Sequence, residues 1–468
     1  RAGDHEEARQ RLAERIDLAI GHPALRQEVV VQEHGRELLD VLKLLDAEKR
    51  HGDGDEPPDE RSGNVRCAAC HENPKGFAGL PARTAPDLSD AGGRLRADWV
   101  RSFIASPAKV APGSVHPDIL AGKHAGSAKV QTEGMTHYLM MLKRAKPTTE
   151  SRGSADKGRD LYGKLGCAAC HGSPDSLDPG AKYSSTTAFA NFLQDPLHNN
   201  PGSRMPSLHL SAEEALDIAT FLIKDSRKNA GFIPDFEKVT QGKSYFKVLN
   251  CGACHTTVSG GRLIRPEGIL GPPPGLGELA GREGQGCLKS KPTGSWPFFG
   301  LDPDQARMVS DALKDIAKPA KASAKERVAT RMALLNCHAC HSRDGVGGPS
   351  GDRDKYFQTT QAAMGPEGRL PPHLDHAGAK LNPSWLKEVI GKGTKVRPYM
   401  LTRMPGYGDH NTRGLAEDFA AADKGKVKPL PDPPNIKIRE ALKQGRLMVG
   451  SKGLACVSCH TFGGTPSL

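Results

Sequence analysis

Five copies of one short pattern constrain this chain more than any other feature. They are Cys67, Cys70 and His71; Cys167, Cys170 and His171; Cys251, Cys254 and His255; Cys337, Cys340 and His341; and Cys456, Cys459 and His460. Each reads CxxCH, the pattern of c-type haem attachment. The spacing has a chemical reason: two thiols bond the porphyrin edge as thioethers, and the imidazole of the next residue reaches the iron. One copy would also fit half of a zinc site or a dithiol redox pair. Five copies, each with His directly after the second Cys and with no matching second CxxC or CxxH pair, favour haem.

Composition agrees with bound groups filling the interior. The 468 residues exceed what one core organises, yet only 37% are hydrophobic and 5% aromatic, against 53 Gly and 36 Pro. Polar or Pro-rich joints fall between the motifs, for example "HGDGDEPPDERSG" and "KGKVKPLPDPPN". They divide the chain into a motif-free helical segment, 1–61, and five haem units at 62–147, 152–228, 236–317, 324–423 and 436–468. The last is incomplete, because only eight residues follow His460.

Within the units a local order recurs. "GRDLYGKLGCAACH" and "GKSYFKVLNCGACH" each carry Gly nine residues ahead of the first Cys with a helical pattern between, and "ERVATRMALLNCHACH" precedes the fourth motif similarly. A later segment, "SAEEALDIATFLIKD", begins on a Ser cap with Glu three residues on. This succession of helix, CxxCH, loop and closing helix resembles class I cytochrome c, and the tandem arrangement is similar to large multidomain CxxCH haem-binding proteins. The resemblance covers about residues 62 to 468. It implies a mainly α fold of small helical domains with long loops, five covalent haem c groups, and a sixth iron ligand from each loop.

In class I domains that ligand is usually Met, often followed by Pro. The second unit supplies Met205 in "DPLHNNPGSRMPSL". Against it, "SPAKVAPGSVHPDI" of the first unit aligns without a gap and sets His116 opposite Met205, with His124 and His137 as the nearest competitors. The resulting pairs are His71 with His116 and His171 with Met205. The plain alternative for His116 is a surface loop histidine. In the fourth unit Met404 is preferred to Met400, because Pro405 follows it. The phrases "LSDAGGRLRADW" and "LDHAGAKLNPSW" also pair Trp99 with Trp385, both expected to pack in the core.

The third unit departs: Trp296 stands opposite Met205, and indole is no iron ligand. Its haem is expected to be five-coordinate or ligated from elsewhere, unless the alignment is displaced. Cys287, the unpaired eleventh cysteine, falls where the tryptophans stand, and is read as a buried thiol ahead of a thiolate ligand. For the fifth unit, donors include missing chain, a neighbouring copy, or the first 60 residues with His5, His22, His34 and His51.

Thioether haem attachment implies export, hence a periplasmic or extracellular protein whose motif cysteines are not disulfides. No run of about 18 apolar residues occurs, and the chain opens "RAGDHEEARQ" without a signal peptide, so a processed chain is expected. The formal charge of +11 is partly offset by haem propionates, leaving acidic redox proteins as candidate partners, and the scattered basic residues argue against nucleic acid. The leading reading is a pentahaem electron carrier acting outside the cytoplasm. The alternatives are a peroxidase-like or sulfur-oxidising enzyme with an open third haem, and a conducting assembly of copies with ligands crossing between subunits. Ammonia-forming pentahaem nitrite reductases typically carry a CxxCK motif, which is lacking here.

Overall fold

The helix ahead of the second, third and fourth CxxCH motifs starts on a polar cap and stops just short of a left-handed residue, so the chain reverses into the cysteines. The computed structural model describes residues 85–111, 114, 116–143, 151–223, 232–259, 262–264, 274–279, 282, 284–294, 296–317, 323–349, 351–393, 396–427, 437–458 and 460. The first motif, Cys459 and the N-terminal histidines lie outside these residues. The described part is mainly helical. It falls into two units, Arg1–Lys424 and Gly425–Leu468.

The longer helices of the first unit are α1 (Ala97–Ala105), α2 (Ala128–Met141), α3 (Ala155–Lys164), α4 (Thr186–Gln194), α5 (Ala212–Leu222), α6 (Phe236–Val248), α7 (Pro303–Ala317), α8 (Ala324–Leu334), α9 (Pro383–Lys392) and α10 (Leu415–Ala422). Their starts follow from sequence. The Ser154 and Asp235 side chains accept from backbone N–H groups of α3 and α6, while Ser211–Glu214 and Ser323–Glu326 form capping boxes on α5 and α8. Two short antiparallel hairpins complete the unit: β1 (Thr257–Ser259) with β2 (Arg262–Ile264), and β3 (Ser342–Arg343) with β4 (Val346–Gly347).

The three motif helices α3, α6 and α8 each lie against one other helix: α3 on α5, α6 on α2, and α8 on α10. The recurring Gly explains two of these seats. A Cβ on Gly158 would meet the Asp217 carbonyl of α5, and one on Gly242 would meet the Gly134 carbonyl of α2, so backbones touch where only hydrogen fits. At the matching place in α8 stands Val328, which is fully buried.

Four apolar clusters result. One joins α3, α4 and α5 through Tyr162, Phe189, Leu193 and Ile218. A second joins Ala97, Val100, Met135 and Leu139 to Phe246, Leu249 and Cys251, so the third motif's helix shares a core with residues 91–142. A third holds α8 against α9 and α10 through Met332, Ile390 and Phe419. The small fourth, Leu276, Leu288, Leu301, Val309 and Leu313, contains no motif helix.

The second unit contains α11 (Ile438–Val449) and the turn Cys456–Ser458. Ile438, Leu442, Leu447 and Met448 of α11 are all exposed. Among the described residues no helix is long and apolar enough to cross a membrane.

Candidate functional site

The motif turn is built the same way wherever it is described. Gly166, Asn250, Asn336 and Ala455, each directly before a first cysteine, have positive φ of 107°, 56°, 53° and 54°. Glycine and asparagine tolerate this conformation best. In motifs two to four a buried leucine precedes it: Leu165, Leu249 and Leu335. The carbonyl of the first cysteine then accepts from the histidine N–H, at 3.0 Å for Cys251 and His255, 2.8 Å for Cys337 and His341, and 2.9 Å for Cys456 and His460. One helical turn carries both cysteines on a common face, since residues three apart are neighbours there.

The thiols are largely withdrawn from water. Burial pushes Cys167, Cys251, Cys337 and Cys340 up to about 12, so they are neutral thiols. Cys167, Cys170, Cys251, Cys337, Cys340 and Cys456 form no disulfide, whereas Cys254 is disulfide-bonded. That departs from the expectation that no motif cysteine forms a disulfide. A cysteine in that state has no thiol to add to a vinyl group until a thiol donor reduces it by two electrons.

Two motif histidines are oriented by proline carbonyls. His255 Nδ1 donates to the Pro86 oxygen at 2.8 Å, and His341 Nδ1 to the Pro372 oxygen at 2.7 Å. Both prolines stand two residues ahead of the matched phrases beginning at Leu88 and Leu374. A carbonyl only accepts, so the proton sits on Nδ1. Burial holds His341 below the usual imidazole value. His171 and His460, by contrast, are exposed.

Opposite His255 lies His116. The two ring centroids are 6.1 Å apart with planes 29° from parallel. His116 donates from Nδ1 to the Pro117 oxygen at 2.9 Å, and Phe103, itself stacked on Trp99, packs edge-on against the ring at 5.1 Å. Burial, aided by the neighbouring His255, lowers His116 to about 4, so its imidazole is neutral at pH 7. His116 lies beside His255, because α6 seats on α2, while His71, its expected partner, lies outside the described residues. The competitor His137 has both ring nitrogens engaged, one with Glu133 at 3.1 Å and one with the Asp235 N–H at 2.9 Å.

The turn carrying His116 matches that carrying Met205. Ser114 Oγ accepts from the His116 N–H and Ser203 Oγ from the Met205 N–H, both at 3.2 Å. Two residues beyond each of the four aligned positions a backbone bridge forms, Ser207 with Gly406 and Asp118 with Phe298. The segments carrying Met205 and Met404 are thus paired, and so are those carrying His116 and Trp296. Met205 and Cys167 both pack against the cluster of α3, α4 and α5. Met404 is half-buried, and Met400 is more enclosed.

The second and fourth motifs meet along this seam. Cys170 Sγ lies 4.0 Å from Nδ2 of Asn336, the residue before Cys337. Arg403 clamps the seam by donating to Glu214 at 2.6 and 3.0 Å and to the Leu208 and His209 carbonyls. Asn411 Nδ2 reaches the Pro201 and Ser203 carbonyls.

The other singled-out residues divide. Trp99 is partly buried as expected, but Trp385 is 42% exposed, because α9 buries the stripe Leu386 and Ile390 and turns Trp385 off it. Trp296 is 56% exposed. Cys287 packs on the fourth cluster, and burial raises its thiol, in keeping with the buried-thiol reading. Pro86, Pro372 and the left-handed residue before the second to fifth motifs were not singled out from the sequence. Their signal was position: the same residue class at one offset in several units. The chain matches no known protein family, no curated protein and no solved structure.

Proposed function

We propose that the chain is a pentahaem c-type cytochrome that passes electrons between redox partners outside the cytoplasm. The observation that carries this reading beyond the five motifs is the seam at Cys170 and Asn336, where two attachment turns approach to 4.0 Å. Electron carriers need cofactors held near one another in fixed positions. A seam clamped by Arg403 and Glu214 supplies such a hold.

Bound haem supplies one-electron Fe(II)/Fe(III) chemistry; the protein sets its ligands, burial and spacing. Cys167, Cys170, Cys337 and Cys340 would hold two of the haems covalently through thioether bonds. His341 is steered by the Pro372 carbonyl, His171 and His460 follow their own cysteines, and His71 belongs to the first motif. Met205 and Met404 contribute thioether sulfur, which favours Fe(II) and raises the potential relative to imidazole pairs. The enzyme reading takes an open third haem as its motive, and an imidazole of His116 beside His255 favours electron transfer over it. Acidic redox proteins remain the partners that the basic charge suits.

Export of the full chain through a c-type haem maturation system tests the proposal. A pyridine haemochrome assay should return five haems per chain, and a redox titration should resolve at least two potential classes. A matured, exported chain without covalent haem would refute it.

A further inference from the structure

We infer that His116 and His255 are the two axial ligands of one iron, so that the third motif's haem occupies a pocket shared between residues 85–143 and 236–256. This rests on the reading of the chain as a haem protein. It departs from chain order, in which each loop would serve the motif just before it.

Distance is the first argument. Metal–imidazole bonds of about 2 Å place trans nitrogens about 4 Å apart, and with each ring centre about 1 Å further back the centroids fall near 6 Å. The observed separation is 6.1 Å.

Orientation is the second. Each Nδ1 donates to a proline carbonyl, Pro117 for His116 and Pro86 for His255. In metal-bound histidines such a bond on one nitrogen fixes the ring and leaves coordination to the other. Among the described residues Nε2 of His116 has no hydrogen-bond partner, which suits a ligand and is not required of a surface loop histidine.

The scaffold is the third. The backbone contact of Gly134 with Gly242 reproduces that of Asp217 with Gly158 in the second unit, where motif helix and closing helix belong to one unit. Leu88 N–H donates to the Thr256 carbonyl at 2.9 Å, tying the residue after His255 beside Pro86. Lys238 of α6 reaches Glu133 of α2 at 3.2 Å. Phe103 supplies an apolar wall to the ligand.

The test uses the matured full chain in three backgrounds: parent, C67S/C70S and C251S/C254S, with loss of one haem confirmed in each double variant. In every background His116→Ala is compared with His116 by electron paramagnetic resonance and by CO uptake after reduction. One additional high-spin, CO-binding iron per chain is expected in the parent and in C67S/C70S, and none in C251S/C254S. The reverse pattern assigns His116 to the first motif and overturns the inference, as does no change in any background. Should the variants fail to accumulate, zero-length carbodiimide crosslinking of the parent should join Glu133 to Lys238, and a five-haem chain without that crosslink refutes the shared pocket. A parent that carries no haem refutes the proposed function instead, so the two failures are told apart.

Discussion

Replacing Gly158 with Ala should destabilise the protein, although the same change one and a half turns along the same helix should stabilise it. Gly158 and Gly163 both lie in α3, and Ala is ordinarily preferred to Gly inside a helix by about 0.5–1 kcal/mol. At Gly163 a new Cβ meets nothing within 4 Å, so the full gain is expected. At Gly158 it would overlap the Asp217 carbonyl oxygen, with the carbonyl carbon at 2.5 Å and Phe221 Cβ at 2.8 Å, where real Cβ contacts are not found below 3.0 Å. Helices α3 and α5 must part, opening the seam between Tyr162 and Ile218 and stretching the 2.6 Å bond from Ser154 N–H to Asp217. Such overpacking costs about 1–3 kcal/mol, which outweighs the propensity gain. At about 1 °C per kcal/mol for a unit of about 400 residues, the calorimetric midpoint should fall by up to about 3 °C for G158A and rise by about 1 °C for G163A. A midpoint for G158A at or above that of the parent would show that the backbones do not touch at this seat.

Three further outcomes follow from the packing. Arg343 and Asp423 are 5% and 1% exposed and joined by bonds of 2.6 and 3.1 Å, so Asp423→Ala should cost about 3–5 kcal/mol by stranding a buried guanidinium; a loss under about 1 kcal/mol in denaturant unfolding would contradict the pair's burial. Arg403→Ala and Glu214→Ala should each weaken the seam between Met205 and Met404, and a double-mutant cycle should return about 1 kcal/mol or more of coupling, as for a half-buried bidentate pair. Burial raises the Cys287 thiol, so its thiolate fraction at a given pH is below that of an ordinary cysteine. Iodoacetamide should label Cys287 of the matured protein slowly at pH 8 and faster as pH rises, while labelling at the rate of free cysteine would place it at the surface.

The elements that repeat locally were legible in the sequence, and the choices between repeats were not. Gly at nine residues before Cys167 and Cys251 marks a helix with one close backbone contact, and the structure supplies that contact in both cases. Likewise the gapless match of His116 to Met205 reappears as the same Ser-capped turn. What local pattern cannot specify is which closing helix receives which motif helix, because α2 and α5 offer similar seats and the sequence contains no distance between them. The third motif's helix enters the seat made by Gly134, and this one choice brings His255 beside His116. Trp385 shows the same limit on a smaller scale. Its phrase matches that of Trp99, but the buried stripe of α9 runs through Leu386 and Ile390, and a residue one place off that stripe faces outward whatever its counterpart does. Which side chains face one another in a chain of repeated units is therefore a property of helix seating, and a Cβ at Gly242 would meet the Gly134 carbonyl that defines this seat.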